Sequence, residues 1–150
     1  MADYNISKAL PDDADAIVQF QMAMAMETEG VTLDRESVQQ GVSAVMKDES
    51  RGVYIVAKAG AATIGSLMIT REWSDWTNRW YWWVQSVYVL PDYRKKGVFK
   101  TLYSCVKELA KEAGVSKVRL YVDRGNRLAQ TAYEKLGMAE CHYLMYEEEL

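Results

Sequence analysis

The sequence predicts an α/β fold in which helices pack on a mixed, twisted sheet. Three observations predict it. Runs that suit strands alternate with longer stretches at helical spacing, in the order β-α-α-β-β-β-α-β-α-β. A unit of strand, proline, basic turn, glycine and helix runs from Val84 to Gly114 and organises the chain. A second strand-turn-helix unit follows between Val118 and Gly137. With 150 residues, one domain spanning 1–150 is expected, long enough to bury a full core.

Tyr4 to Leu10 reads as a short first strand. Pro11 then opens a helix whose acidic first turn (Asp12, Asp13, Asp15) suits the helix dipole, with Ile17, Phe20 and Met24 as its buried positions. Gly30 breaks the pattern, and a second helix is expected from about Leu33 to Met46 with Val38, Val42 and Val45 on one face. Val53–Ala57 and Ala62–Thr70 form a hairpin across Lys58-Ala-Gly60-Ala. Gly65 inside the second strand implies a bulge or a close backbone approach.

Residues 71–83, REWSDWTNRWYWW, hold all five tryptophans. Aromatics this dense suit core or interface. They also suit an acceptor pocket with an aromatic wall, Trp83 included, in which Glu72 and Asp75 are the polar groups. In the next strand Val87 and Val89 fall on one side of the pleat and Tyr88 on the other. Pro91 ends the strand, and Val98, Leu102, Cys105, Val106, Leu109 and Ala113 mark a helix closed by Gly114. Val118–Val122 then alternates as a strand, Asp123-Arg-Gly125 turns the chain, and Asn126 caps a helix. Leu128, Ala129, Ala132, Tyr133 and Leu136 line one face of that helix, and Met138–Tyr146 is expected to supply the last strand or strands.

A net charge of −3 argues against a general nucleic-acid binder, and no apolar run approaches a membrane span. Cys105 and Cys141 form neither a disulfide framework nor a metal-ligand spacing, and the sole histidine, His142, lacks triad or metal partners in sequence. No metal is expected. With no signal-peptide pattern at its start, the sequence suits a reducing cytoplasm.

The chemistry gathers at the joint before the central helix. Arg94, Lys95 and Lys96 precede Gly97, and Lys100 follows one turn later. Cations at a helix N-terminus are disfavoured by roughly 0.3–1 kcal/mol each, so the pattern makes sense if the turn holds an anion. Gly97 would let backbone amides approach phosphate oxygens closely. Neither a GxxxxGK[ST] loop nor a GxGxxG fingerprint is present.

The pattern V-Y-V-x-P-x-Y-R-x-x-G-V-x-x-x-L resembles the central motif of the GCN5-related N-acetyltransferases (GNAT). The segment N-x-x-A-x-x-x-Y-x-x-x-G-M, from Asn126 to Met138, matches a second part of the family pattern. The resemblance implies a sheet whose central strands splay apart to admit the pantetheine arm of acetyl-CoA. It implies cosubstrate contacts from the strand residues Val87, Tyr88 and Val89, from Asn126, and from a pyrophosphate turn comprising Arg94, Lys95, Lys96, Gly97, Val98 and Phe99. The family usually has Gly or Ala where this chain has Phe99. It further implies direct acyl transfer to a primary amine, with Tyr133 as general acid. Glu72 leads as base, with Asp75 or a water relay as alternatives. Glu27, Asp75 and Trp83 would border the acceptor, expected to be a small cationic amine. The aromatic excess makes a homodimer plausible. Two rival classes stay open: a catalytically silent acetyl-CoA-binding regulatory module, and a nucleic-acid binder using the basic turn and the tryptophans.

Overall fold

The structure, a computed structural model, describes residues 3–150. These fall into two compact units, divided between Leu120 and Tyr121. The first unit holds the whole sheet. Its strands are β1 (Asn5–Lys8), β2 (Val53–Ala59), β3 (Ala62–Ser74), β4 (Arg79–Val89) and β5 (Lys117–Arg119), side by side in that order. All neighbours are antiparallel except β4 and β5, which run parallel. The sheet is therefore mixed, as the sequence predicts.

Three helices flank it: α1 (Ala14–Glu29), α2 (Arg35–Lys47) and α3 (Val98–Glu112). Alternation along the strands assigns the faces. Tyr54 and Val56 of β2 join Ile17 and Val18 of α1 and Val42 of α2 in one buried cluster, which Met68, Val38 and Val45 also pack against. The opposite pleat meets α3. A Cβ on Gly65 would stand 3.1 Å from the Tyr88 carbonyl and 3.4 Å from Val98 of α3, so a side chain there would press the neighbouring strand and helix outward by a few tenths of an ångström. Val98, Leu102 and Val106 are buried along α3.

The start of α1 is anchored in a way the dipole argument does not anticipate. Pro11–Asp13 is a single 3₁₀ turn, and the Asp13 carboxylate is buried behind it. It accepts from the Leu10 N–H and the Thr63 hydroxyl, both at 2.8 Å, and pairs with Lys58 at 3.1 Å. At the far end Gly30 takes φ +65 and closes the helix.

The β3–β4 hairpin is longer than expected. Its ladder continues to Ser74 opposite Arg79, so most of the tryptophan-rich segment is strand and only 75–78 is turn. Cross-strand contacts account for the extension: Trp73 meets Trp80 edge-on at 5.0 Å, and the Arg71 guanidinium lies 5.0 Å from the Trp80 ring. The expected strand 118–122 is shorter, ending at Arg119.

The second unit holds one helix, α4 (Arg127–Lys135), and a tail without regular structure. Two expectations are corrected here. No strand forms in 138–146 among the described residues, and Tyr143, Leu144, Met145 and Tyr146 are exposed. On α4 the part-buried stripe is Ala129, Tyr133 and Leu136, at i, i+4 and i+7, whereas Leu128 and Ala132 lie off that stripe and are exposed. The turn before α4 forms as expected. Gly125 N–H donates to Asp123 at 2.7 Å, and Asn126 accepts from the Ala129 N–H at 3.1 Å as N-cap.

Candidate active site

The basic turn is built by two left-handed residues. Lys95 has φ +62 and Gly97 φ +83, after a 3₁₀ turn at Pro91–Tyr93. A Cβ on Gly97 would meet nothing within 4 Å, so the glycine serves backbone conformation and not space. Gly97 is the N-cap of α3, with no side-chain cap and no acidic residue in the first turn. The Gly97 carbonyl is taken by the Thr101 N–H at 3.0 Å and by its hydroxyl at 2.9 Å. The first-turn amides thus have no side-chain cap, a setting that suits an anion, with Lys95, Lys96 and Lys100 nearby in sequence. The Phe99 ring stacks on Tyr103 of the same helix at 5.9 Å, an arrangement that directs it along the helix.

Just before this turn, β4 changes character. Ser66 pairs with Tyr88 and Met68 with Gln85, so Leu67 faces two residues and β4 bulges; Ser86 there takes φ +54. On the other edge, β5 pairs only with Tyr81, Trp82 and Trp83. Among the described residues no strand pairs with that edge from Val84 to Val89. The backbone of Val87 and Val89 therefore lies where an extended ligand could add to the sheet. The implied splay is this early end of β5.

Bulging sets which side chains share a face. Tyr88 turns toward α1, where its ring meets Phe20 at 5.2 Å and its hydroxyl donates to Glu27 Oε1 at 3.0 Å. Burial, then the Glu27 carboxylate, pushes the Tyr88 phenol up. The second oxygen of Glu27 accepts from Arg94 at 2.8 Å. Further along the same pleat, Gln85 donates to Thr70 at 2.7 Å, and Trp83 Nε1 donates to Glu72 at 2.7 Å. Arg119 of β5 reaches both Glu72 oxygens at 3.2 and 3.3 Å. Glu72 is thus a pinned carboxylate, and Arg119, which sequence inspection did not single out, is its partner. Only the strand pairing that brings β5 beside β4 could reveal this.

Asp75 lies apart from that row, exposed in the hairpin turn. Cys105 is half-buried, its thiol pushed up by burial and by Glu112, which suits an inert packing residue. In the second unit, burial raises the Tyr133 phenol above its ordinary value. Among the described residues no His/Cys/Asp/Glu group is arranged to hold a metal, and no helix is long and apolar enough to cross a membrane.

A bulged strand with an open edge, leading into an uncapped helix behind a basic turn, marks an acyltransferase of this fold class. Residues 17–138 match the acetyltransferase (GNAT) family, and the chain belongs to that family as an N-acetyltransferase. A crystal structure described as a possible acetyltransferase from Clostridium difficile 630 is similar over 98% of this chain and 97% of that one, at 40% identity and a TM-score of 0.91. Among curated proteins, the thialysine N-epsilon-acetyltransferase of Caenorhabditis elegans is 24% identical over 136 residues, 89% of this chain and 82% of that protein. The Bos taurus protein of the same name is 31% identical over 78 residues, 52% of this chain and 45% of its own length.

Proposed function

We propose that this chain transfers the acetyl group of acetyl-CoA directly to a primary amine, and that the acceptor is a small cationic amine. The observation that carries the first part is the uncapped N-terminus of α3 behind left-handed Lys95 and Gly97. The amides of Lys95 to Phe99, with Lys96, would cradle the pyrophosphate, and the free edge at Val87 and Val89 would pair with the pantetheine amides. Asn126 belongs to this reading as the N-cap of the second motif helix. Relatives named for thialysine, itself an amine, support an amine acceptor.

In the step itself, the neutral amine attacks the thioester carbon and a C–N bond forms. The carbonyl electrons move to an oxyanion stabilised by backbone N–H groups. Collapse breaks the C–S bond, Tyr133 gives its proton to the departing thiolate, and the amine's surplus proton leaves to a base, Glu72, Asp75 or water. Of these, Glu72 is engaged by Arg119 and Trp83, which suits it better to shaping the acceptor wall. A cytoplasmic homodimer is the proposed setting, with exposed Trp73, Trp76 and Trp80 offering apolar surface to a second copy.

Acetyl-CoA at a hundredfold excess over Kd should stabilise the fold by about 2.7 kcal/mol. At this chain length that raises Tm by roughly 5–11 °C. Gly97→Val forces a branched side chain to φ +83, a strain of order 1–3 kcal/mol, or tilts the amides away from the ligand. Most of the ligand-induced shift should then vanish. No shift in the intact protein would sink the cosubstrate assignment.

Glu72→Gln removes one negative charge from the acceptor face while keeping its shape. We expect kcat/KM for polyamines to fall roughly tenfold, the scale of one charge-assisted hydrogen bond, with little change for neutral amines. Preference for anionic acceptors, with indifference to this substitution, would place the acceptor elsewhere.

A further inference from the structure

We propose that Arg94 is a positioning residue for the acceptor side and not a phosphate ligand, an inference that rests on the acetyltransferase reading above. The sequence places Arg94 at the head of the basic turn, among residues expected to hold pyrophosphate. In the structure its guanidinium is engaged by β4 and α1. Nε donates to the Val89 carbonyl at 2.9 Å, Nη2 to Glu27 Oε2 at 2.8 Å, and Cζ lies 5.2 Å from the Tyr88 ring centroid. Tyr88 in turn donates to the other Glu27 oxygen at 3.0 Å.

The result is a closed ring of contacts among three segments distant in sequence: the end of α1, the end of β4 and the start of the turn. Each contact fixes a different degree of freedom. The carbonyl and the carboxylate set the plane of the guanidinium, and the ring contact sets its height above Tyr88. Swinging Arg94 to a phosphate would leave both Glu27 and the Val89 carbonyl without it. The turn carries three further cations without it, Lys95, Lys96 and Lys100, within one helical turn of Gly97 in sequence.

Function follows from what the ring orients. The buried Tyr88 phenol donates to Glu27 beneath the Arg94 guanidinium, so the ring fixes the Glu27 carboxylate, the group that would meet a cationic amine. Arg94 offsets the Glu27 charge, so the carboxylate stays aimed at Tyr88 while a cationic acceptor arrives. Arg94 thereby ties the acceptor side of β4 to the turn that would hold the cosubstrate.

The test separates two constants. Arg94→Ala should leave the calorimetric Kd for acetyl-CoA within about threefold, and raise KM for a polyamine such as spermidine by about tenfold or more. Arg94→Lys should not rescue KM, because lysine has neither the Nε–H nor the planar fork. In a Glu27→Gln background, Arg94→Ala should add little further, since both act through one network. A tenfold or greater loss of acetyl-CoA affinity in Arg94→Ala overturns the proposal in favour of a phosphate ligand, and calorimetry decides this without turnover. Unchanged KM, rescue by lysine, or fully additive effects would reduce the contacts to a surface ion pair. If the intact protein does not bind acetyl-CoA at all, the acetyltransferase mechanism fails instead, and the two failures are distinct.

Discussion

Tyr133→Phe should slow acetyl transfer by about 10²–10⁴-fold, the usual contribution of a positioned general acid. Acetyl-CoA affinity should stay within a small factor, because only one hydroxyl is removed. The phenol suits the task. Burial lifts its pKa above the ordinary tyrosine value, so it stays protonated through neutral pH and has a proton to give as the thiolate leaves. The sign of the pH effect follows. An acid must be protonated to act, so its contribution is complete below the raised pKa and lost only in strong alkali. The variant should lose rate across the whole neutral range and lose that alkaline limb as well. Single-turnover measurement with a good amine acceptor reads both effects. Unchanged turnover would make Tyr133 a packing residue of the α4 stripe. Acetyl-CoA binding with no turnover of any amine by the intact chain would favour the catalytically silent module.

Elements with strong local signals were legible in the sequence, and those that depend on a partner were not. Gly97, Pro91 and the apolar stripe of α3 place the turn and helix with no tertiary information. Gly65 announced a close approach that the Tyr88 carbonyl and Val98 supply. The tryptophan-rich hairpin was hidden because Trp80 and Trp82 face one side and Tyr81 and Trp83 the other, so composition erases the period of two. In the tail, Met138–Tyr146 was expected to supply the last strand or strands, but a strand exists only with a ladder partner.

The site divides along the same line. The basic turn is contiguous, so its residues could be named from spacing alone. The polar contacts of Glu27, Thr70, Glu72, Gln85, Tyr88 and Arg119, which the proposed acceptor reading uses, form only through strand register and the bulge at Ser86. Arg94 illustrates both. Its position in the motif was legible, whereas its partner lies 67 residues away in the chain.

Removing the Asp13 carboxylate should be the most damaging single change to the fold outside the apolar core. Asp13 is 3% exposed and is shared by the Leu10 N–H, Thr63 and Lys58. Truncating one member of a buried ion pair costs 3–5 kcal/mol in general. Lys58 is part-exposed, which lowers the figure, so Asp13→Ala should cost roughly 2–4 kcal/mol. That corresponds to a Tm drop of roughly 4–16 °C at this length. The pH dependence carries a definite sign. Burial alone would raise the Asp13 pKa, but the hydrogen bonds from Leu10 and Thr63, and the hydrogen bond and charge of Lys58, outweigh it and hold the group below its ordinary value. A carboxylate with a depressed folded pKa contributes stability above its unfolded pKa, near 4, and loses it as pH falls through the folded value. The difference between wild type and Asp13→Ala in urea unfolding should therefore be full at pH 5–7 and shrink below about pH 4. Because Asp13 seats the start of α1 and Glu27 lies at its other end, spermidine KM should rise in the variant even at temperatures where it remains folded. A variant as stable as wild type, or a stability gap that does not narrow in acid, would mean that the helix start is held by its apolar contacts alone.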